Sequence, residues 1–342
     1  MKGEPSMPLP FILGGIAVAA GIAGVKKAHD ASEKNKQAER INRKAEITCD
    51  NAKRLINDAR EETHEALQTL GQKKLNIMSR DIHHFAESFS RIHHVDLTDS
   101  QGIRELEHLN LSKETLTEMK EQSSLAVDMA SGIAGGAVAG GLTALGAYGA
   151  VMTFGAASTG TAIAALSGAA ATNATLAFLG GGSLAAGGLG IAGGTAVLGG
   201  LVAGPALAIL GFTLDSKADK NLENARSNRA KARKFEEEMN AAADLCDAIT
   251  KRSVMFTQLL TRLSGLFRPM LREMDCIIDI SGTDFRNYSK ADKKTIAMSA
   301  SLALAIKKVL DTPILHKDGS LTDTSYTVQQ ETADFLNEME EQ

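Results

Sequence analysis

The chain has 342 residues, 4% aromatic residues, no tryptophan and a formal net charge of −4. That balance argues against bulk nucleic-acid binding, and the scarcity of aromatics argues against small globular cores and for extended helical packing. Cys49, Cys246 and Cys276 are far apart and make no CxxC pair, which predicts neutral core thiols or a reducing compartment rather than a disulfide framework.

Residues 1–25 form an apolar N-terminal segment. Its apolar run, Leu9 to Val25, is followed at once by Lys26 and Lys27. Ala17-Val18-Ala19 has the small-x-small form of a signal-peptide cleavage site. Glu4 against Lys2, and the lysine pair where a stop signal would lie, fit an anchor or one helix of a membrane bundle better.

Residues 26–128 read as a long amphipathic helix followed by short helices. The spacing predicts one helix from Lys26 to about Val95, kinked near Gly71 and roughly 100 Å long at the usual rise per residue. Ile41, Ala45, Thr48, Ala52, Leu55 and Ala59 recur at spacings of four and three. After a phase slip near Lys73-Lys74, Met78, Ile82, Phe85, Phe89 and Ile92 resume the pattern, which is that of a coiled-coil seam. Asp96 to Gly102 breaks the helix. Ser112 is placed to cap a further helix running through Leu116 and Met119.

Residues 129–214 hold no Asp, Glu, Lys, Arg or His, and they carry 22 of the 32 glycines. Apolar runs of about 18 residues or more are candidate membrane spans. Ser131 to Phe154 and Leu189 to Thr213 fit that description. Ser158 to Thr175 is richer in hydroxyls and reads as a re-entrant turn or a third span. Glycine costs about 1 kcal/mol against alanine inside a water-exposed helix, whereas close helix packing in lipid favours small residues. Gly132, Gly136 and Gly140 share one helix face, and Gly190 with Gly194 and Gly200 with Gly204 repeat the spacing. These seven glycines are the expected packing contacts of a membrane-interacting hairpin.

Residues 215–282 return to the amphipathic pattern. Ala218, Leu222, Ala225, Ala232, Met239, Ala243 and Cys246 hold four-and-three register, with Arg229 and Glu236 at the missing steps. Ile249, Phe256, Leu260, Leu263 and Phe267 extend it to Pro269, and Met270 to Ile280 reads as a separate short helix. Residues 283–342 read as a small helical appendage. Ser289 with Asp292 makes a capping box, Pro313 stops that helix, Asp318-Gly319 turns, and Thr327 to Glu341 is a final acidic helix. The fold class expected is therefore all-α and elongated, with long antiparallel coiled-coil-like helices bracketing the apolar hairpin.

Lys26 to Arg54 holds nine basic against five acidic residues, and Asp215 to Lys234 seven against three. By the positive-inside tendency both flanks lie on the cytoplasmic side, and the block crosses an even number of times. Lys26, Lys27, Arg229, Lys231, Arg233 and Lys234 are candidate contacts to anionic headgroups. An ordinary solvated face, with Glu223 and Glu236 to Glu238 as partners, explains the last four equally well.

Chemistry-bearing motifs are sparse. Gly188, Gly190 and Gly193 formally match the dinucleotide fingerprint, with Asp215 about 20 residues on, but that motif needs a preceding strand and a polar βαβ unit. On a helix His83 and His94 stand three turns apart, and either His83 or His84 with Glu87 supplies two ligands where a metal site needs three or four. The histidines fit a solvated face beside Phe85 and Phe89; any role they have is expected to be acid-triggered charge repulsion. No catalytic residue, cofactor site or metal site is expected, and the protein reads as a non-enzyme.

The opening Leu9-Pro10-Phe11 run ending in Lys26-Lys27, the stretch Ser167–Ser183 with Ala185-Ala186-Gly187-Gly188 behind it, and Leu310-Asp311-Thr312-Pro313 ahead of Leu321-Thr322 together resemble a bacterial glycine-zipper family of mostly unassigned function. The resemblance spans nearly the whole chain. It implies a bacterial, membrane-associated helical protein and brings no catalytic residues. The layout of long helices around an apolar hairpin is also similar to that of α-helical pore-forming toxins, a likeness of architecture alone. The function expected is membrane insertion with oligomerisation through small-residue seams, permeabilising or remodelling a bilayer. The alternative is a membrane-anchored coiled-coil scaffold or signalling protein without pore activity. The expected partners are a lipid bilayer, further copies of the chain and a protein at the C-terminal appendage, with no nucleic acid.

Overall fold

A computed structural model describes the backbone of residues 11–96, 111–133, 142, 145–149, 222–316 and 319–341, with side chains from residue 32 onward except at 132, 133, 340 and 341. The protein is all-α: α1 (Phe11–Asn76), a π-helical turn (Ile77–Ile82), α2 (His83–Phe89), α3 (Lys113–Ile133), α4 (Leu222–Ser281), α5 (Lys290–Asp311) and α6 (Asp323–Glu341). Two isolated β-bridges, His93 with Asp284 and Leu315 with Leu321, occur, and the described residues contain no strand. Among those residues no helix is long and apolar enough to cross a membrane. Of the expected spans, Ser131 to Phe154 lies mostly outside them, and Leu189 to Thr213 lies wholly outside, as does Ser158 to Thr175.

The chain divides into two compact units, residues 1–57 with 208–242, and residues 58–207 with 243–342. In the first, Ala38, Ala45, Cys49, Ala52 and Ile56 of α1 are buried, as are Ala225, Ala232, Phe235 and Met239 of α4. Buried Asn228 donates through Nδ2 to Asn42 Oδ1 at 3.1 Å. Such a pair is satisfied in one register only and so fixes the offset between the helices. Ala45, Ala52 and Ala225 sit where the spacing placed them, but the alternate seam positions differ. Leu55 is 48% exposed and Ile56 is fully buried; Arg229 is exposed, and Asn228 and Phe235 fill the steps assigned to Arg229 and Glu236. A straight helix drifts about 20° per heptad, so neighbouring residues compete for the same seam position. Ile56→Ala is expected to cost about 2–5 kcal/mol and Leu55→Ala about 0.5 kcal/mol or less; equal losses in chemical denaturation would overturn this register.

The orientation of the long helices differs from expectation. In the first unit Asn42 meets Asn228, and Glu236 acts on the Cys49 thiol. In the second the hydroxyls of Thr63 and Thr250 lie 3.0 Å apart, Ser264 donates to Asp81, and Ser88 donates to Asp275. Partners advance together along both chains, so the helices run parallel, not antiparallel. In the second unit α3 runs against the π turn and α2, with Lys120 on Glu87 at 3.0 Å and Ser123 beside His83 at 3.3 Å. Leu142 and residues 145–149 run in the same direction as α3, beside Gly71 and Leu67.

Helix α1 is continuous through Gly71, and the phase slip near Lys73-Lys74 takes the form of the π turn, whose extra residue re-aims Ile77, Met78, Asp81 and Ile82 into the core. Helix α4 continues through Pro269 to Ser281. An internal proline costs about 3 kcal/mol, which burial of Phe267, Leu271, Met274, Ile277 and Ile278 on both sides of it offsets. Gly282 ends the helix in the left-handed region, at φ +79.

Residues 283–342 are not peripheral. Phe285, Tyr288, Ile296, Ile306, Leu310, Ile314 and Leu336 belong to one core with Phe85, Phe256, Phe267 and Met274. The capping box of Ser289 and Asp292 is present. Helix α6 begins at Asp323, four residues before the expected start, because the Thr322 hydroxyl accepts from Ser325 N at 3.2 Å and caps it.

Candidate functional site

The described start of the uncharged block is docked in the core of the second unit. Ser112 accepts from Thr115 N at 3.1 Å and caps α3 as expected. The burial of Met119, Ala126 and Met129 lays that helix on the core. Leu142, Leu145, Ala147 and Tyr148 are buried too. Their segment meets α1 at two glycines. A Cβ on Gly71 would collide with the Leu142 carbonyl, and one on Gly146 with the Leu67 carbonyl. This is the small-residue approach expected of the block, made here against α1 and through glycines the spacing did not single out.

The segment ends on the C-terminal end of α5. Gly149 has φ +77, and a Cβ there would lie 2.6 Å from the Asp311 carbonyl oxygen. The Ala147 carbonyl accepts from Ile314 N at 2.8 Å and Leu315 N at 3.1 Å. Beneath this contact Lys74 is fully buried. Its Nζ donates to the Thr312 carbonyl at 3.4 Å. Burial pulls its ammonium down to about 7, and the charge of Asp311 partly opposes the fall. Burial also pushes the Asp311 carboxyl up, against a hydrogen bond and charge from Lys307. Lys307 bridges to Glu118 of α3 at 3.1 Å as well. Lys74 was legible in principle: it stands four residues after buried Leu70 and three before buried Ile77, at a seam position.

A second polar cluster lies on the π turn. Asp81 accepts from Ser264 Oγ at 2.7 Å and from Arg268 Nε at 3.1 and 3.2 Å. Asp275 accepts from Ser88 Oγ at 2.7 Å and lies 2.7 Å from His84 Nε2. The carboxylate stands between hydroxyl and imidazole, so the imidazole is not placed to activate the serine. His94 Nδ1 lies 3.3 Å from Asp284. Each of these two imidazoles thus stands beside a carboxylate. Among the described residues no three His, Cys, Asp or Glu side chains converge as a metal site.

Of the expected headgroup contacts, Arg229, Lys231, Arg233 and Lys234 are exposed on α4, and Lys234 lies 3.8 Å from Glu238. Lys26 and Lys27 lie within α1 and Gly132 within α3. Gly136, Gly140, Gly190, Gly194, Gly200 and Gly204 lie outside the described residues. The thiols of Cys49 and Cys246 are buried, which pushes both up, and Cys276 is exposed. No protein-family model, curated protein or solved structure matches the chain.

Proposed function

We propose that this is a membrane-inserting protein that assembles through small-residue seams to permeabilise or remodel a bilayer. The observation that carries the reading is the run of residues 129–214 without one ionisable side chain, between charge-rich flanks. Glycine and alanine give such a run a weaker transfer energy than leucine-rich spans have, which suits a segment that is first held by protein and later by lipid. The burial of Leu142, Leu145 and Tyr148 supports a resting form in which the start of the block is shielded. Insertion is then driven by packing of Gly132, Gly136, Gly140, Gly190, Gly194, Gly200 and Gly204 between copies. Lys26, Lys27, Arg229, Lys231, Arg233 and Lys234 meet anionic headgroups on the cytoplasmic face.

Dye release from anionic liposomes tests this. Gly136→Leu is expected to lower the leakage rate severalfold with helicity unchanged, because the larger side chain holds facing backbones apart. Unchanged leakage would count against the seam. Stable vesicle binding without any dye release by the native protein would leave the anchored scaffold as the function.

A further inference from the structure

The contact at the C-terminal end of α5 that holds residues 145–149 is poorly satisfied in hydrogen bonds. An ammonium has three donors. For Lys74, fully buried, the described acceptor is one carbonyl at the long distance of 3.4 Å. Asp311 Oδ1 is buried without a hydrogen-bond partner. Buried polar groups are ordinarily satisfied, and a partly satisfied buried network is a weak point. The same segment is also held by two glycine-backed approaches to α1 and by two amide donors on the Ala147 carbonyl.

We propose that Lys74 and Asp311 form a built-in release point, two under-satisfied buried ionisable groups that keep the docked start of the uncharged block metastable near neutral pH. The proposal rests on the membrane-insertion reading for its purpose, not for its physics. Among the described residues, the charged group that acts on Lys74 is Asp311. Asp311 faces it from α5; Lys307 of the same helix and Glu118 of α3 act on Asp311. The ionisable side chain of residues 145–149 is Tyr148.

The sign follows from linkage. The docked state holds the Lys74 ammonium at about 7, against an ordinary value of 10.5, so docking binds fewer protons than release does between those values. Docking therefore strengthens as pH rises through that window, and the handicap is at full size below about 7. Asp311 has the opposite shift, so its handicap is present above the ordinary carboxylate range and is relieved only in acid. Both handicaps coincide at neutrality.

Amide hydrogen exchange of the full chain in solution, without lipid and corrected for intrinsic rates, tests this directly. Protection of residues 145–149 is expected to rise on the order of tenfold or more between pH 7.5 and 9.5, while residues 256–263 of α4 stay constant. Lys74→Met is expected to raise protection at pH 7.5 and abolish the dependence. If native protection of 145–149 is flat over that range, or if both regions shift together, the release point is overturned, and a Lys74→Met chain that fails to fold leaves the native series to decide. A released segment with unchanged dye release would instead sink the membrane reading and spare the latch.

Discussion

Replacing Gly71 with alanine is expected to destabilise the second unit by about 3 kcal/mol, the upper end of the cost of overpacking a close-packed site. The added methyl group meets a backbone carbonyl, that of Leu142, and not the end of a flexible side chain. Relief requires Leu142 and residues 145–149 to move away from α1, and the buried side chains of Leu142, Leu145 and Tyr148 move with them. At roughly 2–4 °C per kcal/mol for a unit of this size, the midpoint of thermal unfolding should fall by roughly 6–12 °C. Gly265→Ala supplies the contrast. A Cβ there meets nothing within 4 Å, so the same change inside a helix should stabilise by about 0.5–1 kcal/mol. Opposite signs are required; shifts of the same sign at both positions would remove the helix-on-helix approach at Gly71.

Phe267→Ala should cost about 3–5 kcal/mol. Phe267 is fully buried, and its ring centroid lies 5.8 Å from that of Phe85, which in turn lies 5.1 Å from Phe89. The ring bridges α2 and the stretch of α4 just before Pro269, so the cavity would open where α4 already lacks a backbone donor. Phe85→Ala removes the facing ring, and the double variant should lose less than the sum of the two single losses. A loss below about 1 kcal/mol for Phe267→Ala in denaturant titration, or strict additivity, would show that the rings are not coupled.

Helical class was legible because periodicity survives over long stretches: Ala45, Ala52, Met78, Ile82, Phe85, Phe89, Met239 and Cys246 are all buried where spacing put them. The register failed at alternate steps because seam positions here accept Asn42, Cys49 and Asn228, whose polarity or size gives no apolar signal. Pro269 was read as a stop because local propensity is visible in sequence and the tertiary burial that overrides it is not. Parallel orientation was hidden for the same reason. It depends on which residues meet after the chain has returned, and a hairpin-like layout favours the antiparallel answer. The site was half visible. The block's glycine content predicted close backbone approach, while the two glycines that make it, Gly71 and Gly146, fall in different segments and share no local pattern. Lys74 is hidden because a lysine at a seam position reads as surface, although here it is fully buried.

The parallel pairing also sets the order of events during synthesis. Asn42 and Asn228 are 186 residues apart, so at ribosomal rates of about 5–20 residues per second α1 emerges roughly 10–40 s before its partner. For that interval α1 is a nascent helix with nothing opposite it, while the glycine-dense stretch leaves the exit tunnel. The alanines at 38, 45 and 52 present little apolar area to passing chains. A seam lined with leucine at those positions would bind more tightly once finished, and it would aggregate more readily while waiting.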